Sequence, residues 1–234
     1  MDASAPTEKM AKSSSTGECE KPESRLSMKS DQTRRQAMDI ASQFTEIATA
    51  LISDNLERLP GAIGLRPFHN GRHMVGVALT VRTRPGDNLA IHQVLELVKP
   101  GDVIVVDGGG AVDRALVGEI MVAIAAKRGA RGFVLDGAIR DAAALGIGDF
   151  PVFARAAIHR GPYKSGPGEI NLPVSIGGQV IFPGDIVVGD ADGVVGFAPA
   201  QAEALLVAAR AQAAKEAEMM RSIAAGTYKG AYAR

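Results

Sequence analysis

The chain has 234 residues, 46% of them apolar and 22% charged, enough apolar side chain to fill one good-sized domain or two small ones. Basic and acidic residues balance at 26 each, so no overall field draws the chain to nucleic acid or to an anionic membrane, and neither is expected as a partner. Aromatics are 4%, with no Trp, against 27 Gly; Val, Ile, Leu and Ala must build the core between tight turns, which is an α/β composition.

Cys19 is the only cysteine, which excludes an intramolecular disulfide and a cysteine-based zinc cluster. No apolar run approaches the roughly 18 residues of a membrane span and the N-terminus has no apolar stretch of signal-peptide type, so a cytoplasmic location is expected.

Residues 1–35 are rich in Ser, Lys, Glu and Pro, with Leu26 the only branched aliphatic. That is too little apolar surface to offset the entropy of ordering, and a disordered extension is expected, followed by one domain over 36–226 and a tail over 227–234. From Met38, the positions Ile40, Phe44, Ile47, Ala48, Leu51 and Ile52 recur at helical spacing. Ser53-Asp54-Asn55 then precedes a shorter pattern, Leu56 and Leu59, closed by Pro60-Gly61, and two consecutive helices are predicted. Strands are predicted at 74–82, 103–106, 132–135, 152–154, 179–182, 186–188 and 194–197. Pro-Gly-Asp occurs at 85, 100 and 183, and the latter two lead into strands as similar turn units. Residues 115–128 are apolar on nearly every side and stop at Gly129, as a buried helix would. A final alanine-rich helix spans 200–225.

Asp107-Gly108-Gly109-Gly110 closes the strand at 103–106, where ligands gather in open α/β arrangements. It lacks both Gly-x-Gly-x-x-Gly and Gly-Lys-Ser/Thr, so it reads as a turn for close backbone approach to a ligand or a neighbouring subunit, not as a nucleotide loop. Gly118-Glu119-Ile120-Met121 falls near the start of the buried helix, where unpaired amides and the positive dipole end suit a substrate carboxylate. Glu119 is the one acid between Arg114 and Lys127, and the pattern alone leaves a cap, a buried ion pair and a site acid open. The strand at 132–135 runs out into Asp136-Gly137-Ala138-Ile139-Arg140-Asp141, in which the Arg-Asp pair offers a forked cation for oxyanions and a hard oxygen ligand for Mg²⁺ or Mn²⁺. His69 and His73 are four apart, but Asn70-Gly71 between them breaks any helix and disfavours a zinc pair. Ser53-Asp54 reads as a cap, and Tyr163-Lys164 as a rim or subunit contact.

Together, Val105-Val106-Asp107-Gly108-Gly109-Gly110, Arg114-Ala115-Leu116-Val117-Gly118-Glu119 and Asp136-Gly137-Ala138-Ile139-Arg140-Asp141 resemble the RraA-like family, especially its class II pyruvate aldolase branch. The likeness continues through Arg160-Gly161-Pro162-Tyr163-Lys164, the run from Gly166 to Asn171, and Pro183-Gly184-Asp185 to Val195, covering roughly 44–226. The resemblance implies an α/β/β/α sandwich of the swivelling β/β/α type, assembled as a trimer or a dimer of trimers. It also implies the branch's reactions: cleavage of 4-hydroxy-4-methyl-2-oxoglutarate or 4-carboxy-4-hydroxy-2-oxoadipate and decarboxylation of oxaloacetate, with Mg²⁺ or Mn²⁺ as cofactor.

The family hallmark is an acid, twenty intervening residues, then Arg-Asp, which Glu119 and Arg140-Asp141 satisfy. By that match Asp141 is the direct metal ligand and Glu119 holds metal-bound water, with Glu where the family often has Asp. Arg140 contacts the pyruvyl oxygens, and the amides of Gly118, Glu119, Ile120 and Met121 receive the carboxylate. Lys215-Glu216 matches an acid supplied through water by an adjacent subunit, a position where a solvated helix face is the competing reading. No lysine stands at the matched positions, which disfavours Schiff-base chemistry. The family's namesake binds and inhibits a ribonuclease, so an interaction module is the alternative implied function.

Overall fold

The computed structural model describes residues 22–58 and 61–230, with side chains from residue 32 onward. The chain divides between Thr33 and Arg34, and the fold proper belongs to the second unit. Helix α1 (Pro22–Ser42) runs across the boundary expected at residue 35, so part of the supposed disordered extension is helical. The reason is local: Pro suits the first helical turn, and neither Gly nor Pro recurs until Pro60. Residues 1–21 lie outside the described residues.

The single helix expected from Met38 to Ile52 is broken. Helix α1 ends at Ser42, and α2 covers Thr49–Asp54. A long-range contact sets the second start: Asp190 accepts the Thr49 N–H and hydroxyl, both at 2.7 Å. The second expected helix is a turn, with Glu57 and Arg58 at φ of 54° and 60°; Leu59 and Pro60 lie outside the described residues.

Beyond them come β1 (Arg66–Pro67), β2 (Met74–Thr83), α3 (Leu89–Leu95), β3 (Asp102–Asp107), β4 (Ala115–Val117), α4 (Glu119–Lys127), β5 (Gly132–Ile139) and α5 (Ala142–Ile147). The remainder comprises β6 (Val152–Ala157), β7 (Gly168–Ile170), β8 (Val174–Ile176), β9 (Gln179–Ile181), β10 (Ile186–Asp190), β11 (Gly193–Phe197) and α6 (Ala202–Ala224). The large sheet runs β1-β6-β5-β3-β2-β10-β11, with β4 paired to β5 and β7 to β2; β8 and β9 form a separate hairpin. Pairing is parallel from β2 through β3 and β5 to β6, and antiparallel at β2-β10-β11.

Strand alternation sorts the core into layers. Leu79, Val81, Ile104, Val106, Phe133 and Leu135 face α3 and α4, meeting Ile91, Val94, Met121 and Ala125. Their neighbours Ala78, Val103, Val105, Val134 and Phe153 face inward, against Val174, Ile176 and Ile181 of the hairpin and Val187 and Val194 of β10 and β11. The outer side of β10 and β11, through Ile186, Val188, Val195 and Phe197, carries Phe44, Ile52, Leu205 and Leu206. The order is helix, strand, strand, helix, as expected, with the sheet curled over at β2 and β10 so that it nearly closes.

Two expectations need correction at the site's own elements. Residues 115–117 form strand β4, and the helix begins only at Glu119, because Gly118 is extended (φ −142°, ψ −173°) and Ala115 and Val117 pair with Ala138 and Ile139. Strand β5 continues past Leu135 to Ile139, so Asp136 lies in the strand. The repeated Pro-Gly-Asp turns at 100 and 183 are alike: Asp102 and Asp185 accept the Lys99 and Phe182 amides at 2.7 and 2.8 Å. No helix among the described residues is long and apolar enough to cross a membrane.

Candidate active site

Parallel pairing of β4 with β5 places two strand ends side by side, and Arg140 N–H bonding Val117 O at 3.0 Å carries the pairing one residue further. The next residues on each side are Gly118-Glu119 and Arg140-Asp141. A sequence separation of 22 residues thereby becomes direct contact: the Glu119 N–H donates to Asp141 Oδ2 at 3.0 Å, and Arg140 Nε lies 3.7 Å from the same oxygen. Asp141 Oδ1 has no hydrogen bond among the described residues. The two side chains are 46% and 41% exposed, open to a ligand from solvent.

Two backbone features make this possible. A β-carbon on Gly118 would sit 2.5 Å from Asp141 Oδ2 and 3.1 Å from Arg140 Nε, so only glycine lets both side chains lie over this turn. Asp141 adopts left-handed backbone, φ 59° and ψ 35°, as the residue opening α5, a conformation Asp tolerates better than most residues.

Of the amides expected to receive a carboxylate, Glu119's is given to Asp141 and Met121's bonds Gly118 O at 3.1 Å. The Ile120 amide is left in the first turn of α4 without an acceptor among the described residues. The Ile120 side chain is exposed and that of Met121 is buried in the core. Glu119 is exposed at the mouth. Glu216 is not brought to the others: it lies on α6, in the outer layer opposite α4, and accepts from Gln212 at 2.9 Å, which also reaches Asp54.

A neighbouring loop completes the wall. Gly161 abuts Arg140, where an added β-carbon would lie 3.6 Å from Nη1. Arg114 holds that loop, donating to Gly161 O at 2.9 Å and to the Tyr163 hydroxyl at 2.8 Å, with its guanidinium 3.9 Å from the Tyr163 ring centre. Behind it, the fully buried Asp87 accepts the amides of Leu89, Ser165 and Gly166 at 2.9, 2.8 and 3.0 Å and lies 3.3 Å from Arg84. Burial alone would raise the Asp87 carboxyl; the amides and Arg84 outweigh it and hold it below the usual carboxylate range. Tyr163 is therefore an anchored rim residue. Neither Arg114 nor Asp87 stood out in the sequence, although Asp87 ends the first Pro-Gly-Asp turn.

Other motifs are absorbed by the fold. Gly109 and Gly110 take φ of 66° and 71°, and their amides bond Asp107 Oδ1 and Asp136 O at 3.0 Å each; the loop is tied to its own strands. His69 donates from Nε2 to Arg72 O at 2.8 Å and accepts the Val152 amide at Nδ1, while His73 bonds Ile47 O, so the pair is structural.

Among the described residues no three His, Cys, Asp or Glu side chains gather into a metal-binding group. The donors present at the site are hard carboxylate oxygens, Asp141 Oδ1 unengaged and Glu119 exposed beside it. Such a sparse set suits an ion that keeps most of its waters, as Mg²⁺ does, and does not suit zinc.

Residues 49–195 match the family model RraA-like, described as Aldolase/RraA. A protein of Halalkalibacterium halodurans named "Putative 4-hydroxy-4-methyl-2-oxoglutarate aldolase" is 40% identical over 80% of this chain and 89% of its own. A crystal structure of an uncharacterized protein from Pseudomonas syringae pv. tomato superposes with a TM-score of 0.73 at 29% identity, covering 80% of this chain and 89% of the other. The RNA-processing inhibitor RraA from Thermus thermophilis gives 0.57 at 30% identity over 63% and 92%. In sequence and in fold, the chain belongs to the RraA-like family.

Proposed function

We propose that the chain is a lyase of the class II pyruvate aldolase type. It cleaves a C–C bond of a 2-oxo acid such as 4-hydroxy-4-methyl-2-oxoglutarate, and decarboxylates oxaloacetate by the same bond polarisation. The observation that carries this reading is the convergence of Gly118, Glu119, Arg140 and Asp141 at two adjoining strand ends, joined to the 40% identity with a protein named for that aldolase activity.

Both reactions leave negative charge on the oxygen of a pyruvate enolate. Arg140, exposed and backed by Gly161, presents a planar fork to the two oxygens of the pyruvyl group. The Ile120 amide, at the positive end of α4, receives the carboxylate. Asp141 would hold a divalent ion, Mg²⁺ or Mn²⁺, directly, and Glu119 and the Glu216 of a neighbouring copy would hold it through water; the ion would supply Lewis acidity toward the ketone. Glu119 also orients water at the mouth of the site, where the substrate hydroxyl proton leaves. Because Glu216 lies in the layer opposite its own Asp141, its participation requires a homo-oligomer, a trimer or hexamer.

The second reading, a non-catalytic ribonuclease-binding module, draws on the likeness to the Thermus inhibitor. Pyruvate release from oxaloacetate and from 4-hydroxy-4-methyl-2-oxoglutarate, assayed with Mg²⁺, with Mn²⁺ and with chelator, separates the two. Turnover that needs the ion supports the lyase; no release from either substrate together with ribonuclease inhibition would favour the module.

A further inference from the structure

At the pole of the molecule opposite Asp141, the starts of β2, β5 and β6 and the end of α1 border a cavity of about 550 Å³ that is open to solvent on one side. It lies one strand length from the candidate active site, about 25 Å along β5. Its size is that of a small-ligand pocket.

The wall formed by α1 is fixed. Arg34 bonds Pro100 O at 3.0 Å and pairs with Asp102 at 2.6 Å, and Met38 packs where Gly101, at φ 93°, has no side chain. The carbonyls at this helix end are already engaged. Asp39 O takes the Ser42 hydroxyl at 2.7 Å, Ala41 O takes the Phe44 amide at 2.9 Å, and Ser42 O takes the Thr45 hydroxyl at 2.7 Å.

The positive groups, by contrast, are free. Arg72 and Arg131 stand at the exposed rim of the cavity, and neither side chain has a hydrogen bond or ion pair among the described residues. The one acid in the lining, Asp149, is bonded by the Asn70 amide. His73 is part of the lining, with Nε2 on Ile47 O at 3.1 Å; its Nδ1 is buried and has no partner among the described residues. The floor is apolar, built from Met74, Phe150 and Pro151.

We propose that this cavity is a second binding site, distinct from the lyase site, for a small organic anion with a compact apolar body, such as an aryl carboxylate. Two unpaired guanidinium groups recognise the carboxylate by charge-assisted hydrogen bonds. The apolar floor takes the body of the ligand. The inference does not depend on the proposed reaction.

Titration of the full-length protein with 8-anilinonaphthalene-1-sulfonate, an amphipathic anion whose emission rises on burial, tests it. One saturable site per chain is expected. It is displaced by benzoate and not by the uncharged benzyl alcohol. Arg72→Gln with Arg131→Gln weakens binding about tenfold or more, each single variant less, while Asp141→Ala leaves it unchanged; circular dichroism confirms that the variants are folded. Absence of saturable binding, full affinity in the folded double variant, equal displacement by benzyl alcohol, or loss of binding in Asp141→Ala would each overturn the proposal.

Discussion

Gly118 faces Asp141 so closely that a single methyl group on Gly118 would come within 2.5 Å of the Asp141 carboxylate. The clash falls on two exposed side chains, Asp141 and Arg140, and not on backbone, and the extended φ of −142° accepts any residue. Gly118→Ala therefore keeps the fold, with a stability change of about 0.5 kcal/mol or less, and loses the site. Pyruvate release is expected to fall on the order of 10²-fold, the cost of misplacing reacting groups by about 1 Å. A fully active alanine variant would show that the Asp141 position is not critical.

Asp141 has two separable jobs, holding left-handed backbone and presenting a carboxylate. Asn also tolerates φ near 59° and retains an acceptor for the Glu119 amide. Asp141→Asn is expected to match the parent in thermal midpoint and to lose Mg²⁺ or Mn²⁺ affinity by calorimetry. Asp141→Ala loses both, with an added stability cost of about 1 kcal/mol for the backbone conformation. Unchanged metal binding in the Asn variant removes Asp141 as ligand.

Arg140→Lys should be nearly as damaging as Arg140→Ala, about 10² to 10³ in kcat, because a point ammonium cannot span two substrate oxygens. Steady-state kinetics on oxaloacetate decide this; most of the activity surviving in the lysine variant would mean that charge alone suffices.

Asp87 is fully buried and receives three amides. Asp87→Asn turns an NH₂ toward at least one of those donors, and a loss of about 2 kcal/mol is expected in denaturant unfolding. The pH dependence follows from its lowered pKa. The stabilisation is fully present above the unfolded-state value near 3.9 and is lost as pH falls through the lower folded-state value. The parent's acid unfolding should thus be steeper below pH 4 than that of the variant, and overlapping acid limbs would contradict the assignment.

Glu216 lies in the layer opposite Asp141 of its own chain, so the proposed shared site makes a complementation test available. Asp141→Ala and Glu216→Ala protomers, each inactive alone, should regain some turnover when co-assembled, because a mixed ring can contain a site with both acids. No recovery in rings shown by native mass spectrometry to be mixed would leave Glu216 a surface charge bonded to Gln212.

Local pattern alone determined much of this molecule. The Val- and Ile-rich runs of β2, β3, β5, β10 and β11 and the long α6 are legible because apolar periodicity reports burial of a strand or a helix face directly. The spacing from Glu119 to Arg140-Asp141 is legible as the family hallmark, while their position at adjoining strand ends is decided by the pairing of β4 with β5. Residues 115–117 deceived the same reading, because a short apolar run is equally good as helix or strand until Ala138 and Ile139 lie beside it. The start of α2 depends on Asp190, and the anchoring of Tyr163 depends on Asp87 and Arg114, partners 141, 78 and 49 residues away from the groups they bind. Such contacts leave no periodic trace. A buried carboxylate or a stacked guanidinium acquires its role only when the fold withdraws water from it and brings distant donors within 3 Å.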